Sequence, residues 1–428
     1  MLAGHTRVAY SEANDALYAR LLRNNPLLPE LWQLRARIAL RDHRYIDAIE
    51  LLEQGIKYLP ENIDLVFDLA NAHILLKDTT SARPHLEKLL ARNDTRSEYL
   101  LSYARMLWLE GLHSQAVEYF TYSLAKNSND SRIALSLVKA YLSLDQAPKA
   151  VEILRSWRHR RPSVDMTALL ALSEYDEHGI ESARNILNDE MAAHLADPTL
   201  NYLQAVLLML SGKSDLVCTY LDRVQRDERF DARWSSFLFA YRPDRIDSFH
   251  GRETALLESA IAHAPATGLV LEFGVYFGLS LRRIAKRIDG PVHGFDSFEG
   301  LPEEWKPGEP AGTYSTHGRM PSMPSQVVLH PGWFKDTLPD FVTSQTGKIR
   351  LIHIDCDLYS STHTVLEELY PLLQIGTVLV FDEYLGFPGY TQHEFRAWHD
   401  FAKRYRIDHE YIGFTLMAKK AALRITQL

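Results

Sequence analysis

The sequence predicts a multidomain chain: an all-α helical repeat solenoid over residues 1–235, then an α/β domain over residues 236–428, with a linker at about 236–252. Three observations carry this reading. Small residues recur in one phase through the first half, at Ala48, Ala82, Ala116 and Ala150. A proline-bearing break, Tyr241-Arg242-Pro243-Asp244-Arg245, follows the last amphipathic stretches. Beyond Gly268, short apolar runs alternate with helical patterns, which is the pattern of βαβ units and a parallel sheet.

Composition sets the outer bounds. A chain of 428 residues exceeds one ordinary domain. Its 46% hydrophobic and 24% charged content describes a globular protein. The net charge of −8 argues against a general nucleic-acid binder, which carries a basic footprint. Two cysteines, Cys218 and Cys356, exclude a disulfide framework or a cysteine-built zinc site and suit a reducing compartment. The stretch Met1-Leu2-Ala3-Gly4-His5-Thr6-Arg7 lacks a signal-peptide layout, and the apolar run Leu203 to Leu210 is too short to span a bilayer. A cytoplasmic protein without a membrane span is expected.

From Ser11 to about Asp227, one amphipathic helix follows another. The alanine phase repeats every 34 residues, and Pro26, Pro60, Asp94, Ser128 and Pro162 mark the turns between units. Leu52, Leu86, Phe120 and Leu154 share a second phase. Two helices that cross closely need a small residue at the contact, with a large apolar residue one turn later filling the groove. This register resembles the tetratricopeptide repeat. The resemblance is incomplete, because the usual tryptophan occurs only at Trp32 and two turn prolines are replaced. A fifth unit, Val164 to Pro198, carries Ala183 at the small position, and a last pair reaches Val224. Arg37, Asn71, Arg105 and Lys139 occupy one phase of the first helices, so they should line a groove that suits acidic side chains or a chain-terminal carboxylate of a protein partner. The plainer reading is a solvated face.

In the second half, Gly268 to Phe273 reads as a buried strand, with Glu272 near its end and Gly274 and Gly278 in the loop that follows. A helix and a second strand, ending at Asp296, come next. Glycines let backbone pass close to a ligand, and an acid ending the next parallel strand can take ribose hydroxyls. The spacing is G-x-x-x-G, without the third glycine of a diphosphate cradle, so S-adenosylmethionine fits better than a dinucleotide. Downstream, Ile349 to Ile354 is a strand ending at Asp355, and Thr377 to Phe381 a strand ending at Asp382-Glu383. A right-handed crossover sets these ends side by side, and adjacent strands lie about 5 Å apart. Three carboxylates that close repel unless a cation neutralises them, and an all-oxygen set favours Mg²⁺. The alternative is acids that cap helices or line a polar rim.

Three blocks then become specific: Gly294-Phe295-Asp296-Ser297-Phe298-Glu299-Gly300-Leu301-Pro302, Pro331-Gly332-Trp333-Phe334-Lys335-Asp336-Thr337-Leu338-Pro339, and His353-Ile354-Asp355-Cys356-Asp357-Leu358-Tyr359-Ser360-Ser361-Thr362. They resemble the macrocin O-methyltransferase family of class I methyltransferases, over roughly Glu253 to Lys420. The resemblance implies a Rossmann-like domain that methylates a hydroxyl, of a sugar in a natural product or glycan, using S-adenosylmethionine and a divalent metal. It implies cofactor contacts from Glu272, Gly274, Tyr276, Ser280, Asp296 and Ser297, with Trp333 and Phe334 beside the adenine; Gly278 belongs to the same loop. It places metal ligands at Asp355, Asp382 and Glu383, where the family usually has two aspartates in the last pair. Asp355 is the first candidate base, with His353, Asp357 and His393 behind it. Cys356 reads as packing. The segment Pro302 to Pro331, with six prolines and Trp305 and Tyr314, reads as a lid over the acceptor, and Phe387-Pro388-Gly389-Tyr390 as a further wall. Two other functions compete: a repeat scaffold whose methyltransferase fold has lost catalysis, and a methyltransferase for a catechol-like phenol. The expected partners are a small-molecule or glycan acceptor, a protein held in the repeat groove and a second copy of the chain.

Overall fold

The computed structural model describes residues 12–428 apart from 43, 93–94, 161–162, 192 and 418. The turn positions Asp94 and Pro162 and the N-terminal heptapeptide lie outside the described residues. The chain forms two compact units, residues 1–140 and 141–428.

The first unit is built of antiparallel helix pairs: Pro29–Arg41 with Tyr45–Tyr58, Ile63–Leu75 with Thr79–Leu90, and Ser97–Leu109 with His113–Lys126. Ala48, Ala82 and Ala116 are fully buried, and Leu52, Leu86 and Phe120 fill the space beside them, which is the packing the 34-residue phase predicts. Asn62 and Asp78 cap the two helices that follow them by accepting the backbone N–H of Leu65 and Ser81. The groove stripe is partly consumed inside the repeats. Arg37 pairs with Asp68 at 3.6 Å, and Asn71 donates to Phe67 O and accepts from Ser102 Oγ at 2.7 Å.

The second unit opens with further helices, among them Ala147–Trp157, Val164–His178, Ile180–Met191, Pro198–Leu210 and Glu228–Ala240. Helical structure therefore continues past Arg226, where its sequence pattern decays, and the residue 235/236 junction falls inside a helix.

Eight strands follow: β1 (Phe249–His250), β2 (Leu269–Phe273), β3 (Val292–Asp296), β4 (Val327–Pro331), β5 (Ile349–Ile354), β6 (Val378–Phe381), β7 (Asp408–Thr415) and β8 (Ala421–Gln427). They form one sheet in the order β1-β7-β8-β6-β5-β2-β3-β4. The segment β4-β3-β2-β5-β6 is parallel, as expected, while β8 runs antiparallel to β6 and β7. Residues read as linker supply β1, which pairs with β7. The central strands are covered on both faces by helices, so Val270, Leu271, Leu351, Ile352, Leu379 and Phe381 are at most 1% exposed. Among the described residues no helix is long and apolar enough to cross a membrane.

Candidate active site

Register brings the chemistry-bearing residues together. Glu272 pairs with Gly294 on one side and His353 on the other, and Ile354 pairs with Phe381. The amides just past the strands continue the ladder: Gly274 N–H donates to Phe295 O, Asp355 N–H to Phe273 O and Asp382 N–H to Ile354 O, all within 3.0 Å. Three parallel strands thus end level, at the carboxyl edge where ligands of such sheets bind.

A cavity of about 300 Å³ opens at this edge. Gly274, Tyr276, Asp296, Ser297, Trp333 and Phe334 line it, together with Asp355, Asp357 and Glu383. Gly274 has φ +93°, and a Cβ there would lie 1.8 Å from Asp355 O, so only glycine lets the two loops meet. Asp296 accepts three backbone N–H groups, from Val275, Tyr276 and Phe298, at 2.7–2.8 Å. Burial nevertheless pushes its carboxyl above the ordinary range. Phe334 meets Phe273 edge-on at 5.4 Å and is thereby fixed in the wall.

Other expected cofactor residues do not line the cavity. Glu272 is fully buried, takes Ser280 Oγ at 3.1 Å and holds His353 Nδ1 at 2.9 Å. Gly278 caps the helix Leu279–Arg287 in the left-handed region and faces Met323. These three residues shape the loop from behind. His353 likewise does not line the cavity. Burial opposes its charge, but Asp382 and Glu272 on either side outweigh it and raise its pKa, so the imidazole is held protonated.

Asp382 and Glu383 each carry a lysine from the β7–β8 turn: Lys420 on Asp382, and Lys419 on Glu383. Lys420 also reaches Glu253 at 3.1 Å. Asp382, between Lys420 and His353, is kept far below the carboxylate range despite its burial. Its charge is already met, so it does not fit the part of a metal ligand as it stands. Among the described residues, no three His, Cys, Asp or Glu donors group as a metal centre. Asp355 and Glu383 do face the cavity, and the Lys419 side chain on Glu383 is half exposed.

Sequence reasoning missed Glu394 at the start of the helix Glu394–Tyr405. It is fully buried and accepts the N–H of Asp357 at 3.3 Å and of Glu383 at 3.1 Å, so one carboxylate holds both acid-bearing loops. An acid at a helix start reads as an ordinary dipole cap, so nothing in its pattern marks it. Cys356 is buried against Thr362 and its thiol pKa is raised by burial, as a packing residue's would be.

Leu301, Pro302 and Tyr314 also line the cavity. Leu301 N–H donates to Thr313 O and Gly312 N–H to Leu301 O, closing a strap. A Cβ at Gly300 would lie 2.5 Å from both Gly312 O and Thr313 O, so glycine lets the strap's limbs touch. Leu301, Trp305 and Leu358 form a small apolar cluster with Tyr314 and Phe387, and Lys306 lies 3.5 Å over the Trp305 ring.

Comparison with known proteins supplies relatives for both halves. The macrocin-O-methyltransferase model matches residues 319–415, and a tetratricopeptide-repeat model matches residues 39–106 and 107–172. A tetracenomycin-class 8-demethyl-8-(2,3-dimethoxy-alpha-L-rhamnosyl)-tetracenomycin-C 4'-O-methyltransferase of Streptomyces olivaceus is 36% identical over 107 residues, covering 21% of this chain and 40% of that protein. Demethyldecarbamoylnovobiocin O-methyltransferase of Streptomyces niveus is 39% identical over 79 residues, covering 18% and 29%. Mycinamicin III 3''-O-methyltransferase of Micromonospora griseorubida is 30% identical over 171 residues, covering 33% and 65%. The chain thus spans less than half the length of the first two of these relatives. The match to the macrocin-O-methyltransferase model lies within the α/β half, and the matches to the tetratricopeptide-repeat model precede it.

Proposed function

We propose that the chain is an S-adenosylmethionine-dependent O-methyltransferase acting on a sugar hydroxyl, and that its repeats recruit a partner or substrate. One observation carries the reading: Asp355, Asp357 and Glu383 line the same cavity as Gly274, Tyr276 and Asp296 at the sheet edge. One relative is named as a 4'-O-methyltransferase of a rhamnosyl-tetracenomycin, which supports a sugar acceptor. The bound cofactor supplies the electrophilic methyl group. The chain's own part is orientation: the aromatic wall Trp333–Phe334 and the loop at Gly274 fix one reactant, and the strap at Leu301–Tyr314 excludes water over the other. Asp355 stands as first base with Asp357 beside it, since both face the cavity and neither is held by a lysine among the described ion pairs. A divalent ion, were one bound, would be held by Asp355 and Glu383 and would lower the pKa of an acceptor hydroxyl.

The test is calorimetry with S-adenosylhomocysteine, followed by labelled-methyl transfer to rhamnosylated acceptors with and without Mg²⁺. Micromolar binding and transfer to a sugar hydroxyl are expected, with Asp355→Asn at least about 100-fold slower. No binding under any condition overturns the enzyme; transfer indifferent to Mg²⁺ and to chelation removes the ion alone; transfer to a catechol but no sugar replaces the acceptor class.

A further inference from the structure

We infer that the helix Glu228–Ala240 is a working part of the acceptor side of the site, with Ser236 as a positioning residue that acts through the loop after β6. Ser236 is fully buried, donates to Ala232 O at 2.7 Å and accepts the N–H of Gly386 at 2.9 Å. Gly386 lies in the left-handed region at φ +81°, so the chain turns sharply at the latch. Its neighbour Phe387 is thereby presented to the strap, edge-on to Trp305 at 5.9 Å, with Lys306 over both rings. The same helix is seated by Phe239, which packs edge-on against Phe395 and Tyr411 at 5.4 and 5.7 Å. Tyr411 in turn bonds the Tyr384 hydroxyl at 2.8 Å, at the other end of the loop. The helix Glu228–Ala240, which precedes the sheet in the chain, therefore holds the surface on which the strap rests. A buried N–H bonded to a hydroxyl of fixed rotamer is a stiff joint, since loss of that acceptor strands the donor without water.

The link to acceptor binding rests on the function proposed above; the joint itself does not, and the experiment separates them. Hydrogen exchange on the full chain compares the wild type with Ser236→Ala, Ser235→Ala and Phe387→Ala. Ser235 makes a similar back-bond to Ala232 O but is exposed and touches no loop, so it controls for helix effects. Ser236→Ala is expected to speed exchange by about 10-fold both at 384–387 and at 301–306, while Ser235→Ala changes neither. Phe387→Ala should loosen 301–306 and leave Gly386 protected, which tests the order of the joint should Ser236→Ala fold poorly. S-adenosylhomocysteine affinity should stay within about 2-fold throughout, and with a sugar acceptor in hand the acceptor KM should rise while kcat and cofactor KM hold. Equal exchange in wild type and Ser236→Ala, the same change in Ser235→Ala, or a Phe387→Ala variant that leaves the strap protected overturns the inference. Absence of cofactor binding in all proteins overturns the methyltransferase reading and leaves the exchange result standing.

Discussion

Gly274 sits where the ends of β2 and β5 come together, and its hydrogen occupies the place of a side chain that would strike Asp355 O. Gly274→Ala combines that collision with a positive φ, so it should cost about 2–3 kcal/mol of stability and abolish S-adenosylhomocysteine binding, read by thermal melts and calorimetry. The glycine was visible in the sequence as half of G-x-x-x-G. What stayed hidden was the division of labour around it. Glu272 and His353 lie far apart in the chain, and only the β2–β5 register shows that they bond each other instead of the ligand. A second pair is more local: His293 Nδ1 and His330 Nε2 lie 3.0 Å apart on β3 and β4. Burial and the neighbouring His293 push His330 down to about 4, and burial lowers His293 as well. With the folded pKa below the unfolded value of about 6.5, protons bind the unfolded chain first. The His330 contribution to stability should therefore be constant above about pH 6.5 and be lost as pH drops from about 6.5 to about 4, so His330→Gln should flatten part of the acid-side fall in melting temperature.

The β7–β8 turn decides the electrostatics of the acid edge. Its two lysines carry no signal in the sequence, because no spacing rule ties them to acids 36 and 38 positions earlier. The strand ends, by contrast, were legible: apolar runs closing on Asp296, Asp355 and Asp382 are level in the sheet because parallel pairing forces it. Removing Lys420 strands a buried Asp382 carboxylate, so Lys420→Ala should destabilise by about 3–5 kcal/mol. Lys419→Ala removes a half-exposed side chain whose partner Glu383 opens on the cavity, so it should cost less than Lys420→Ala. Urea unfolding of the two variants reads the difference, and equal losses would count against the burial argument.

At the scale of the molecule, the 34-residue period was readable because close helix crossings demand alanine, whereas the place where repeats stop behaving as repeats was not. Asp176, on the helix Val164–His178, accepts the N–H of Gly251 and Arg252 and the Arg252 guanidinium, all at 2.6–2.9 Å. Tyr202 donates to Leu416 O, and Arg287 forks onto Asp145 at 2.8–2.9 Å. Such contacts are set by partners dozens to hundreds of residues away and leave no periodic trace. A chain starting at Ser128 should fold and bind S-adenosylhomocysteine within about 3-fold of full length. One starting at Gly251 should lose binding and precipitate, because it bares the surfaces those helices bury. Expression yield and calorimetry on the two truncations check this.

A Cβ at Gly251 would sit 1.9 Å from Leu172 O, so the backbone of the helix Val164–His178 rests directly on the thread that leads into the sheet. Repeat arrays ordinarily evolve by gaining and losing whole units, since each touches only its neighbours. Here that freedom ends before Leu172. Units ahead of the second compact body are open to duplication or exchange for others with different binding faces, while those behind it must drift in concert with the enzyme fold, so their divergence among descendants should track the catalytic half and not the repeats they resemble.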